Sequence, residues 1–99
     1  MTKLDQISAI EIDKLGSLRI FPKKSSFAFI YRSGREVNWD EETRSLFSAP
    51  PREWTYAEWF GHIIDVCKGE YGIELKIDQS TVWRNISDEL RASIMQGQK

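Results

Sequence analysis

The stretch from Trp54 to Gly69 has few options other than an amphipathic helix, and such a helix dictates what must surround it. Thr55 stands three residues before Glu58, the spacing of a capping box, in which each side chain satisfies the other residue's free backbone N–H. Trp54 and Trp59 sit just before the cap and one turn inside it, where a hydrophobic staple belongs. Phe60, Ile63, Ile64 and Cys67 follow at i, i+3, i+4 and i+7, and Gly69 or Gly72 offers the stop. A helix with one apolar stripe is stable only against a second layer, so the remaining chain must supply it.

Strand signals supply that layer. Ile73, Leu75 and Ile77 alternate with Glu74, Lys76 and Asp78, a strand with one buried and one wet face. Leu18 to Phe21 reads as a short strand closed by Pro22. The segment FAFIYRSGREVNW reads as a β-hairpin, with runs 27–32 and 35–39 meeting at Ser33-Gly34. In that hairpin Ile30 faces Val37 and Ala28 faces Trp39, while Phe27, Phe29 and Tyr31 occupy the other side.

Residues 3–15 fit two periods. Leu4, Ile7, Ile10 and Leu15 suit a helix ending near Gly16, the reading adopted, whereas Ile10 and Ile12 alternate as in a strand. Residues 40–53 form a connection with room for one helical turn, broken by Pro50-Pro51. Over 81–96, Val82, Trp83, Ile86, Leu90 and Ile94 fall on one helical stripe, with Ser80 or Thr81 as its cap. The expected fold is α+β: an antiparallel sheet of about four strands, two or three helices packed on one face, one domain over 1–99.

Composition narrows the function. Ninety-nine residues bury roughly 65% of the unfolded chain's surface, enough for one ordinary core. Fourteen basic against fifteen acidic residues leave a net charge of −1, without the basic excess of a dedicated duplex-binding domain. Cys67 is the only cysteine, which rules out an intramolecular disulfide. No apolar run approaches the ~18 residues of a membrane span, and the opening MTKLDQISAIEID lacks the apolar centre of a secretion signal. A cytoplasmic location away from membranes is the expectation.

No set of side chains announces a reaction. Glu58, His62 and Asp65 share a helix face at i, i+4, i+7, which read more simply as a solvated polar face than as a metal or acid–base set. Cys67 lies about 140° around the helix from His62, so the two cannot pair as nucleophile and base. No catalytic residue, cofactor site or metal site is assigned, and the expectation is a protein that is not an enzyme. Four tryptophans are many for this length, and Trp54 with Trp59 is the candidate interaction surface, through which the chain is expected to form a homodimer.

One charge island stands out. From Lys14 to Arg35 there is no acid, but Lys14, Arg19, Lys23, Lys24, Arg32 and Arg35 are basic, with Phe27, Phe29 and Tyr31 among them. Basic side chains around strand-borne aromatics hold single-stranded nucleic acid by stacking. The segment SFAFIY, Ser26 to Tyr31, resembles the aromatic strand of RNA-recognition motifs and cold-shock domains. The resemblance implies that Phe27 and Phe29 stack bases, with Tyr31, Lys24, Arg32 and Arg35 beside them. It covers six residues, and Ser25 and Ser26 stand where that strand has its basic residue and glycine. The competing reading, favoured by the net charge, places the rings in the core.

In size and lack of motifs the chain resembles the orphan proteins carried on bacterial integron gene cassettes, a resemblance that transfers no site. Together these readings point to a small binding or interaction accessory protein with an aromatic contact surface. Its partner is a protein or a small ligand; the alternative is single-stranded nucleic-acid binding through 14–35.

Overall fold

The computed structural model describes residues 3–48 and 53–96. In chain order the elements are β1 (Lys3–Ile12), β2 (Leu18–Pro22), a 3-10 turn (Ile30–Ser33), β3 (Asn38–Asp40), β4 (Ser45–Phe47), α1 (Tyr56–Tyr71), β5 (Ile73–Lys76), β6 (Val82–Arg84) and α2 (Asp88–Gln96). They form an α+β fold with one mixed sheet in the order β3-β4-β2-β1-β5, β6 also pairing with β1.

α1 forms as its sequence dictates. The Thr55 hydroxyl accepts from the Glu58 N–H at 3.1 Å, and the Glu58 carboxylate accepts from the Thr55 N–H at 3.0 Å. Trp59, Phe60, Ile63, Ile64, Val66 and Cys67 are its buried residues. Gly72 ends it in the left-handed region (φ 66°), donating to the Lys68 carbonyl at 2.9 Å, and β5 begins one residue later.

The sheet is mixed rather than antiparallel, and residues 3–12 are a strand rather than a helix. β1 pairs antiparallel with β2 along one edge. Its other edge is shared: residues 3–6 pair parallel with β5 and residues 9–11 parallel with β6. The helical look of this segment comes from a β-bulge. The β1–β2 register shifts between Ile7 and Ala9, so Ile7 and Ile10 both face the core although three residues apart. Gly16, expected to end a helix, instead sits at φ 86° in the β1–β2 turn.

Where β5 gives way to β6, Thr81 fills the gap. Its buried hydroxyl donates to the Ile7 carbonyl at 2.7 Å and accepts from the Asp78 N–H at 3.0 Å. Thr81 is therefore not a helix cap, and the segment expected as one helix splits. Val82–Arg84 joins the sheet, Asn85 turns the chain at φ 56°, and α2 starts after Ser87, whose hydroxyl accepts from the Leu90 N–H at 3.1 Å.

The hairpin expected over 27–39 is absent. Residues 30–33 coil into a 3-10 turn, and Glu36 at φ 64° interrupts any extended run before β3. The hairpin lies further on, β3 pairing with β4 across the turn 41–44 where a helical turn was expected. Pro50-Pro51 lies outside the described residues. The core gathers Ile7, Ile10, Leu18, Ile20, Leu46 and Leu75 from the sheet, Phe27, Ile30 and Val37 from the loop, and the α1 stripe and Ile94 from the helices. α2 lies on the same side as α1, since Arg91 stacks over Trp83, which pairs with Ile10.

The capping box makes the start of α1 testable. Thr55→Ala is expected to cost about 1 kcal/mol of stability, read as a lower urea midpoint at unchanged m-value. An unchanged midpoint would contradict the cap.

Candidate functional site

Three places collect the side chains with the most potential for contact: the turn at 27–35, the aromatic start of α1, and the sheet face turned away from the helices.

At the turn, the helical repeat of three sorts the aromatics. Phe27 and Ile30 point inward, at 0% and 1% exposure, and Phe27 meets Tyr71 and Trp39 edge-on at 4.9 and 5.8 Å between ring centroids. Phe27 is core, so it cannot stack a base. Phe29 and Tyr31 point outward, at 59% and 55% exposure. The Arg32 guanidinium lies 4.8 Å over the Phe29 ring, and the Phe29 N–H donates to the Tyr71 hydroxyl at 3.1 Å. Phe29, Ile30, Arg32, Ser33, Glu70 and Tyr71 line an open recess of about 290 Å³.

The acid-free island of the sequence is not one patch in space. Lys23 and Lys24 line a separate hollow with Leu4, Asp5, Gln6 and Lys76, and Lys14 lines another with Glu11, Asp13 and Arg84. Arg19 is committed to partners within the chain. Its guanidinium reaches Asp13 at 2.8 Å, Asp40 at 3.1 Å and Ser45 at 2.9 Å. Arg35 lends its carbonyl to His62 Nε2 at 2.8 Å. Only Arg32 and Arg35 remain near the exposed rings in sequence, and Glu70 shares the recess with Arg32.

At the start of α1, Trp54, Trp59 and His62 form a compact ring cluster, with centroids 5.0, 5.1 and 5.4 Å apart. Trp59 is buried and Trp54 is 43% exposed, so this pair is the hydrophobic staple of α1 with one outward flank rather than a two-residue contact surface. The Trp59 indole N–H is buried without a hydrogen-bond partner among the described residues. Glu58 is occupied by the cap, and among the described residues no three His, Cys, Asp or Glu side chains gather where they could hold a metal ion. Burial pushes the Cys67 thiol up to about 12, which keeps it protonated and unreactive.

The third place was missed by sequence reasoning. Register puts Arg19, Phe21, Phe47, Ala9, Glu11, Val82 and Arg84 on one side of the sheet, opposite the Ile10, Ile20 and Leu46 side. The alternation of LRIFP carried the signal, since Leu18 and Ile20 inward leaves Arg19 and Phe21 outward. Arg19 stacks over Phe47 at 4.7 Å and Arg84 over Phe21 at 5.8 Å.

These features define a two-layer α+β protein. The family model described as Integron Cassette Protein Hfx_Cass5 matches residues 5–81. The chain belongs to that family of integron cassette proteins. It is similar to the solved structure of Integron Cassette Protein Hfx_Cass5 from the mobile metagenome of North West Arm Sewage Outfall. The two share 41% identity over 98% of this chain and 97% of that one, with a TM-score of 0.51. No curated protein matches. Among the described residues no helix is long and apolar enough to cross a membrane.

Carboxylates hydrogen-bonded within the fold make it acid-sensitive. Burial raises the pKa of Asp13, but hydrogen bonds from Arg19, Ser17 and Leu15 outweigh it and hold the carboxyl below its ordinary value. Asp5 is lowered in the same way, burial being overcome by hydrogen bonds from Ser25, Lys24 and Gln6. A folded pKa below the unfolded one stabilises the protein above the unfolded value and loses that stabilisation as pH falls through the folded one. The urea midpoint is therefore expected to hold from pH 7 to about 5 and to fall below about pH 4. Asp13→Asn should lower it at pH 7, and the gap to wild type should narrow by pH 2. A gap that stays constant with pH would contradict the account.

Proposed function

We propose that the chain is a small binding module with no catalytic role of its own, and that it contacts a protein partner through the turn Phe29–Arg32. The observation that carries this reading is the split of the aromatics. Phe29 and Tyr31 stand more than half exposed on a turn pinned from beneath by Phe27 and Ile30. Two rings held out on a fixed base lose little conformational freedom on binding and regain apolar burial, as contact aromatics do. The adjoining recess offers a cation, Arg32, and an acid, Glu70, so it suits a peptide segment with mixed charges better than a polyanion.

Single-stranded nucleic acid is the second reading, favoured by Arg32 stacked on an exposed Phe29. It is weakened by the scatter of the remaining bases and by the acids that folding places among them.

The two inward and outward phenylalanines separate folding from function. Phe27→Ala is expected to cost about 3–5 kcal/mol of stability, and Phe29→Ala less than about 1 kcal/mol. Peptides selected from a random library on the immobilised protein should bind Phe29→Ala at least tenfold more weakly. Equal binding to both proteins would overturn the proposed surface. A labelled oligonucleotide bound with a steep inverse salt dependence would replace the peptide reading with the nucleic-acid one.

A further inference from the structure

The apolar residues of the sheet fall into two sets, and only one is accounted for by the core. Those facing the helices all belong to the core cluster, whereas Phe21, Phe47, Val82 and Leu4 do not. The four lie on the opposite face. Phe21 and Val82 both pair with Ala9, Phe47 pairs with Arg19, and Leu4 pairs with Glu74 on the outward side of β1. Leu4 and Val82 are 71% and 47% exposed.

Antiparallel sheets tolerate one wet face, whereas all-parallel sheets are covered on both, and in this mixed sheet the parallel pairings lie along one edge of β1. Leu4 and Val82 stand where β1 pairs in parallel with β5 and β6. The two arginines stacked over Phe47 and Phe21 shield those rings, whereas Leu4 and Val82 stay exposed. The face is therefore incomplete at its parallel end.

We propose that this face is covered by the same face of a second copy of the chain, in a two-fold symmetric dimer. Its charges select that occupant. Glu11 pairs with Arg84 at 3.6 Å, Glu74 with Lys76 at 3.1 Å, and Arg19 with Asp13 and Asp40. Each of these three bases has an acid beside it, so a two-fold operation brings acid towards base with little net repulsion. A nucleic acid on the same face would meet Glu11, Asp13, Asp40 and Glu74. The six strands, at about 3.3 Å per residue and about 4.8 Å apart, offer roughly 450 Å² per copy. About 800 Å² per partner is standard for a specific interface, so this one is of the small, transient kind.

This surface is distinct from the turn at Phe29, and one experiment tells them apart. Sedimentation equilibrium of wild type, Leu4→Asp, Val82→Asp and Phe29→Ala would be run from 1 to 200 µM, with urea melts of each at low concentration. Wild type should rise from 11.6 kDa towards twice that mass. Leu4→Asp and Val82→Asp should weaken association at least tenfold at unchanged urea midpoint, because both residues are already exposed, and Phe29→Ala should associate as wild type does. An 11.6 kDa species alone at 200 µM would overturn the proposal. So would a dimer indifferent to both aspartates, and one broken by Phe29→Ala would move the interface to the turn.

Discussion

β1 is the strand on which the rest of the structure depends, because both of its edges are used and three partners share them. β2 takes one edge within a hairpin, so that contact is local. The other edge waits for β5 and β6, about seventy residues downstream. The Lys3 N–H reaching the Gly72 carbonyl at 2.7 Å and the Thr81 hydroxyl on the Ile7 carbonyl at 2.7 Å both close that distance. α1 sits between, so its length and its stop at Gly72 decide where β5 can land. Closing so long a loop costs entropy before any contact repays it, which sets this pairing apart from the local β1–β2 contact.

A second constraint orders the turns around β2. One guanidinium, Arg19, holds the β1–β2 turn through Asp13 and the β3–β4 hairpin through Asp40 and Ser45. An arginine with five donors in a fixed fork suits this role, and a lysine would not replace it. The same charge that looked free in the sequence is thereby paired within the fold. Asp5 works similarly from β1, accepting from the Lys24 and Ser25 N–H groups at 3.1 and 2.8 Å and fixing the approach to Phe27. Charges close in sequence are thus separated in space, and acids distant in sequence are brought among them.

How much was legible from the residues follows from which interactions are local. The capping box, the staple and the stripe of α1 are short-range, and each stands as read. The alternation of Ile73 to Lys76 identified β5 but carries no direction, so its parallel pairing was hidden. In β1 the bulge changed the apolar spacing from two to three and imitated a helix. At 27–32 the β-rich composition favoured a strand, but Glu36 at positive φ and the 3-10 turn place Phe27 and Ile30 inward instead. The likeness of SFAFIY to an aromatic strand fails with that change, since its first ring is core. Trp59 is likewise in the core, and Trp54 alone keeps an exposed flank. The outer face of the sheet needed register to be seen at all.

Amide hydrogen exchange followed by NMR tests the central position of β1 most directly. Amides from Asp5 to Ile10 should exchange among the slowest in the chain, at the same free energy as those of β5, β6 and α1, because none of these can open without the others. Exchange in β1 orders of magnitude faster than in α1, as for a frayed terminal strand, would show that the sheet does not depend on it.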